Sequence, residues 1–415
     1  MSGTISNAEE LVCKPRVPLL PRTIHFCLLQ SLQDIALTRI AVAICTNSEM
    51  ASFRKDIRGE QLDNHLFHSY HDDCSRKNLK RVEEKSKEII SRLPLTQAFK
   101  AKVLSYVVPM TVEIETWMND HSDIIFPAFD VQNYFCWKSE GIIDREKTID
   151  VLLNLKDLPF FYRYDRFRLA CLYCKEHDAK YLWSMMSDDE KDSFNSKSYD
   201  HSSILGYWHA QFNRKRKDLR LNNYIGIKKF CLNTFVTNVS ALRYLWDIFR
   251  QKYCLYHKEE GEFLLSHLKR SYMYPEIVRF YLDELDDEYH YHLLIWQATD
   301  IGKSFLNWPY QTMFLDVKEF YFRPEALLNH ILREKIVPKC EDYNYLELLK
   351  KFWEQIPASY RAMLKDRSVQ YYLQAVLFAI AQDNTESLTK EWLDQMDIEM
   401  KRQFENYVRE REAGL

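Results

Sequence analysis

Residues 171–178 read CLYCKEHD and set Cys171, Cys174, His177 and Asp178 within two turns of chain, the side chains of a zinc site or a thiol redox pair. A structural zinc site takes four convergent ligands, commonly from two paired clusters, and a thioredoxin-type pair sits in a β-α-β setting. Neither context surrounds this stretch. Phe167, Ala170, Cys171 and Cys174 fall at i, i+3, i+4 and i+7, which predicts a helix with both thiols on its apolar stripe, packed as small hydrophobes. A second segment repeats the shape without the ligands. Phe230 stands where Phe167 does, and Thr234, Thr237 and Ser240 stand at the positions of Cys171, Cys174 and His177.

Three further stretches carry chemistry by residue type. NHLFHSYHDDC holds His65, His68 and His71, followed by Asp72 and Cys74. On a helix, Leu62, Leu66, Phe67 and Tyr70 make the apolar face and the imidazoles fan across the opposite one, so convergence on one ion would need a second element. IGKSF ends like a phosphate-binding loop at Gly302-Lys303-Ser304, but Gln297 stands where that loop needs its first glycine. NRKRKDLR concentrates Arg214, Lys215, Arg216, Lys217 and Arg220, a run that suits a nuclear address or phosphate contacts, or a solvated helix end beside Asp218. No catalytic residues, cofactor ligands or metal ligands are assigned.

The elements that must position these residues follow from composition. Only 8 Gly and 12 Pro occur in 415 residues, while 14% are aromatic and 46% hydrophobic, so turns are scarce and core-forming side chains plentiful. An all-helical chain is expected. A formal charge of −3, from 57 Lys+Arg against 60 Asp+Glu, gives no global field to recruit nucleic acid or an anionic membrane. The ten cysteines lack the dense spacing of a disulfide framework, and the N-terminal stretch carries acids and prolines where a signal peptide would be basic and then apolar. A cytoplasmic protein is expected, with the nucleus as the alternative. The segment Thr23–Thr46 carries Asp34 and Arg39 mid-way and reads as a buried helix rather than a membrane span, with Leu28, Leu32, Ile35, Ala36, Ile40, Ala43 and Ile44 as its apolar stripe.

One pattern recurs. Trp183, Trp246, Leu282, Trp353 and Leu393 are each preceded by an apolar residue and followed three residues later by Met186, Phe249, Leu285, Ile356 or Met396. The fourth residue after each anchor is Ser187, Arg250, Asp286, Pro357 or Asp397, mostly helix starters, and Ser187 with Glu190 forms a capping box. Each unit is therefore expected to be a helix ending near its anchor, a tight turn, and a second helix packing back. Intervals of roughly 36 and 40 residues match the period of helical-hairpin repeats, and the longer intervals would hold a further unit or an insert.

DRFRLACLYCKEHDAKYLW, Asp165 to Trp183, resembles the core of an ankyrin repeat, with Leu169-Ala170 as the first-helix apolar pair and Lys180-Tyr181-Leu182 at the end of the second helix, while Cys174 replaces the turn glycine of that family. The whole chain, with SLQDIALTRIAVAI, GIIDREKTIDVLL and the segment just named, resembles a group of helical proteins expanded in arachnids; that resemblance implies no activity. The expected architecture is all-α: a polar tail at residues 1–20, an N-terminal helical region at 21–140, and an irregular, α-solenoid-like array of helical hairpins at 141–415. EGIIDREK marks the seam, with Gly141 as a helix stop and Asp144 as a helix start. The expected function is a non-enzymatic scaffold that binds a protein partner, without cofactor or membrane. A nuclear or nucleic-acid-associated role through Arg214–Lys217 is the alternative, and an enzyme with an unfamiliar site comes third.

Overall fold

The computed structural model describes residues 31–59, 73–126, 129–155, 161–196, 204–212, 238–253, 275–284, 298–315, 324–340, 342–366, 371–382 and 386–412, over which helices are numbered in chain order. The protein is all-α. Among the described residues the β pairing is one isolated antiparallel bridge between Trp137 and Ile143. No helix there is long and apolar enough to cross a membrane.

The first helix, α1 (Leu32–Cys45), starts where the Ser31 hydroxyl accepts the Asp34 N–H at 3.1 Å. It packs on α4 (Gln97–Asp120) through Leu37, Thr38, Ala41, Ile44 and Cys45. The expected stripe is thereby corrected: Ala36 and Ala43 are exposed and Leu32 is 86% exposed. The apolar residues of α1 are spread too widely around it to declare one buried face, and the bonds of its polar Asp34 turn it instead. Asp34 accepts from Lys102 at 2.5 Å and from the Tyr106 hydroxyl at 3.2 Å, both on α4. Between them, α2 (Ser48–Gly59) sends Arg54 and Arg58 to the buried Glu115 of α4 at 3.4 and 3.2 Å, and α3 (Asp73–Ser91) lies along α4.

After α4 the chain makes a tight reversal. Lys138 N–H donates to Ile142 O at 2.9 Å, Gly141 N–H donates to Lys138 O at 3.1 Å, and Gly141 sits at φ +89°. Gly141 is thus the turn residue of a small hairpin and not a helix stop, since α4 has already ended at Asp120. A Cβ there would also lie 3.0 Å from the Trp308 ring. Asp144 does start α5 (Arg145–Asn154), accepting the Lys147 N–H at 3.1 Å.

The hairpin of α6 (Arg163–Leu172) and α7 (Glu176–Met185) follows. Cys171 is buried on α6, as the spacing predicts, but Cys174 lies beyond the helix end at φ +52°. Lys175 N–H donates to Ala170 O at 2.9 Å and Cys174 N–H to Cys171 O at 3.2 Å, which closes a left-handed helix cap on a cysteine. The helical stripe therefore stops one residue after Leu172, and Cys174 is the turn residue that follows it. Next come α8 (Asp188–Ser196), with the Ser187–Glu190 capping box in place, and α9 (Ile204–Phe212).

The remaining described helices are α10 (Val239–Tyr253), α11 (Pro275–Glu284), α12 (Ala298–Phe305), α13 (Gln311–Phe314), α14 (Pro324–His330) continued by a π turn (Ile331–Ile336), α15 (Tyr345–Gln355), α16 (Ala358–Asp366), α17 (Tyr371–Ala381) and α18 (Lys390–Glu412). They pack as neighbours: α10 on α11, α11 on α12, α12 on α14, α14 and α15 on α17, and α17 on α18. One continuous hydrophobic core runs through both the N-terminal helices and these later ones, from Leu37 to Leu393.

The anchors divide. Trp246, Trp353 and Leu393 are buried, Trp183 is half-buried at the rim of a ring cluster with Phe167, Phe194 and Phe212, and the Leu282 side chain lies outside the described part of α11. Helix, turn and second helix appear at Trp183 and at Trp353, where Pro357 separates α15 from α16. At Trp246 and Leu393 they do not: α10 continues through Arg250 and α18 through Asp397. Arg250 has no capping oxygen, and Asp397 spends its carboxylate on Arg333, at 2.6 Å to each oxygen, so neither residue interrupts its helix.

Candidate functional site

Six chain segments meet at the seam and enclose a cleft of about 360 Å³. Its walls are Glu113 and Thr116 of α4, the stretch from Lys138 to Glu146, Tyr173 at the end of α6, Asn238 to Arg243 at the start of α10, Glu276 and Ile277 at the start of α11, and Trp308 with Tyr310 after α12. Each segment reaches the cleft for a local reason. Asn238 caps α10 by accepting the Ala241 N–H at 3.0 Å, and its amide donates to Leu172 O at 2.7 Å, so the start of α10 is pinned to the end of α6. Asp144 caps α5, and the Gly141 turn lets Trp308 close over the hairpin.

The polar lining is mostly committed to itself. Glu276 accepts from the Tyr310 hydroxyl at 2.5 Å and from Lys138 at 3.1 Å; burial acts to raise its pKa, but these partners and Arg279 hold it below the ordinary carboxylate value. Glu146 accepts from the Ser240 hydroxyl at 2.6 Å and lies 3.6 Å from Arg243. Arg145 donates to Asp120 at 2.8 Å, and although burial works against its charge, Glu113, Tyr173 and Asp120 together hold its pKa above the usual one. Glu113 differs. Its one described partner is the Ile143 N–H at 3.3 Å, and burial raises its pKa against the opposing pull of Arg145.

Behind the wall stands a buried relay whose proton positions are forced. The Trp117 carbonyl can only accept, so His121 Nδ1 carries the proton of their 2.6 Å contact, and the neutral ring's Nε2 then accepts from the Tyr173 hydroxyl at 2.9 Å. Burial, helped by the Arg145 charge, lowers the His121 pKa to about 3, and burial pushes the Tyr173 phenol up to about 12. Neither group changes charge near neutral pH, so the relay fixes the orientation of Tyr173 in the cleft wall.

The stretches picked out by residue type are dispersed. Cys171 and Cys174 are buried while His177 is exposed on α7, and burial raises both thiol pKa values above the ordinary range, so the four side chains do not converge. No group of three or more His, Cys, Asp and Glu able to hold a metal ion occurs among the described residues. Gly302-Lys303-Ser304 lies inside α12, with the Ser304 hydroxyl buried and donating to Ile301 O at 2.8 Å, and Gly302 faces Leu327 so closely that a Cβ would stand 2.6 Å from it. That glycine serves helix packing. His65, His68, His71 and Asp72, the basic residues Arg214, Lys215, Arg216, Lys217 and Arg220, and the repeat positions Phe230, Thr234 and Thr237 lie outside the described residues.

Sequence reasoning passes over the cleft. Glu113, Arg145, Ser240 and Glu276 carry no common motif, and the faint signals are Asp144 as a helix start and Ser240 as a polar residue in an apolar pattern. No family model matches the chain, and no curated protein or solved structure is similar to it.

Proposed function

We propose that the protein is a non-enzymatic scaffold that binds another protein, with stacked helical hairpins as its frame and the seam cleft as its contact surface. The observation that carries this reading is the cleft itself, a concavity within the size range of ligand sites, built by helix ends from six distant segments. Most of its charged groups, its amide and three of its hydroxyls are already bonded, to lining neighbours or to groups just behind them, which suits a fixed recognition surface better than a reactive one. The frame is supported by helix-on-helix packing from α10 to α18, and by the helix, turn and second helix that follow one another at Trp183 and at Trp353. The basic run supplies the competing role, in which Arg214–Lys217 contacts nucleic acid.

Salt separates the two. Protein capture through a mostly self-paired cleft should persist in high salt and be lost when Ser240→Trp crowds the cleft mouth. Replacing Arg214, Lys215, Arg216 and Lys217 with Gln should leave capture unchanged. If the parent instead binds RNA or DNA at physiological salt with a log–log salt slope near about −3, and the four substitutions abolish it, the nucleic-acid role takes over.

A further inference from the structure

We propose that the cleft receives a guanidinium group, the arginine side chain of a partner, on the carboxylate of Glu113, with the Trp308 ring as the flat wall beside it. The inference rests on the scaffold reading and names what the cleft recognises.

The argument is one of pairing. Among the charged groups of the lining, Lys138 is bonded to Glu276, Arg145 to Asp120, Arg243 lies by Glu146, and Asp144 accepts from the Lys147 ammonium at 3.0 Å. Glu113 alone has no described side-chain bond. A carboxylate offers about four lone-pair positions, and the single Ile143 N–H at 3.3 Å uses one. The unmet capacity in the cleft is therefore for a donor, and for a cationic one. Arg145 is near enough to act on Glu113 through space, but its guanidinium is already held by Asp120 and Tyr173.

Shape selects among cations. The apolar lining of the same cleft is Ile142, Ile143, Ile277 and Trp308, which would cover the methylene stem of a long side chain and offer a flat ring to a planar head. About 360 Å³ admits a side chain of that length but not a folded element. Burial raises the Glu113 pKa and a bound guanidinium would lower it again, so affinity should rise with pH as the carboxyl ionises.

Calorimetric titration of the full chain with Nα-acetyl-arginine amide tests this, with Nα-acetyl-citrulline amide as the uncharged mimic and Nα-acetyl-glutamate amide as the anionic one. The arginine probe should bind with a dissociation constant on the order of 1 mM, as a single small ligand allows, and the other two should bind at least about tenfold more weakly. Glu113→Gln should weaken the arginine probe by about tenfold or more. Ser240→Trp, a change at an exposed helix start, should block it without touching Glu113. Equal binding of citrulline, preference for the glutamate probe, no heat with any probe, or an unchanged constant in Glu113→Gln overturns the proposal. Partner capture that still depends on the cleft in such a case leaves the scaffold reading standing.

Discussion

At the residue scale, the thiols show what a periodic pattern can and cannot convey. Cys171 is legible as a core residue because its neighbours Phe167 and Ala170 define a helical stripe, and it is fully buried. The role of Cys174 is not in the stripe: a left-handed cap depends on where the helix stops, and an apolar spacing of i+7 reads the same whether the helix continues or ends. His121 was legible only as one of thirteen histidines, because its partners Trp117 and Tyr173 are brought together by packing between α4 and α6. Its consequence is measurable. The folded pKa of about 3 lies below the ordinary 6.5, so the unfolded chain takes up this proton first, and the stability held above pH 6.5 is lost as pH falls toward 3. The loss should approach about 5 kcal/mol, at about 1.4 kcal/mol per pH unit. Denaturant melts between pH 7 and 4 should show that slope in the parent and a shallower one in His121→Gln; parallel slopes would remove His121 from the account.

At the element scale, punctuation residues were reliable where they had nothing better to do. Ser187 and Pro357 start α8 and α16 as their types suggest. Asp397, an equally good starter, sits inside α18 because Arg333 offers it a bidentate ion pair from the π turn after α14, and a local cap loses to a tertiary bond. Gly302 beside Lys-Ser evokes phosphate binding, a reading that Gln297 already argues against, and in the fold it lets α12 approach α14. Gly302→Ala should therefore destabilise the fold by about 1 to 3 kcal/mol, although alanine is the better helix former, because its methyl would collide with Leu327. The double variant with Leu327→Ala should recover part of that loss beyond additivity, as two residues sharing one space do. A stabilising Gly302→Ala in urea melts would mean that the two helices are not so close.

At the scale of the whole molecule, composition foretold an all-α protein from its few glycines and prolines and its many long apolar side chains. The helix start at Asp144 was legible, and the cleft beside it was not. The cleft forms there because Glu113, Arg145, Ser240, Glu276 and Trp308, scattered across nearly half the chain, are delivered to one place by the ends of separate helices, an arrangement with no local signature. Of the four anchors whose side chains are described, Trp246, Trp353 and Leu393 are buried, as bulk and helical spacing predict, while whether each helix breaks after its anchor depended on partners elsewhere. The central claim is that binding occurs at this cleft. Site-specific photocrosslinking reads it most directly, with a benzophenone side chain placed at Arg243 on the cleft mouth in one sample and at Tyr181, 57% exposed on α7, in another. The account predicts a discrete protein adduct from position 243, suppressed by Ser240→Trp, and none from position 181. An adduct from 181 alone, or one from 243 that is indifferent to Ser240→Trp, would contradict it.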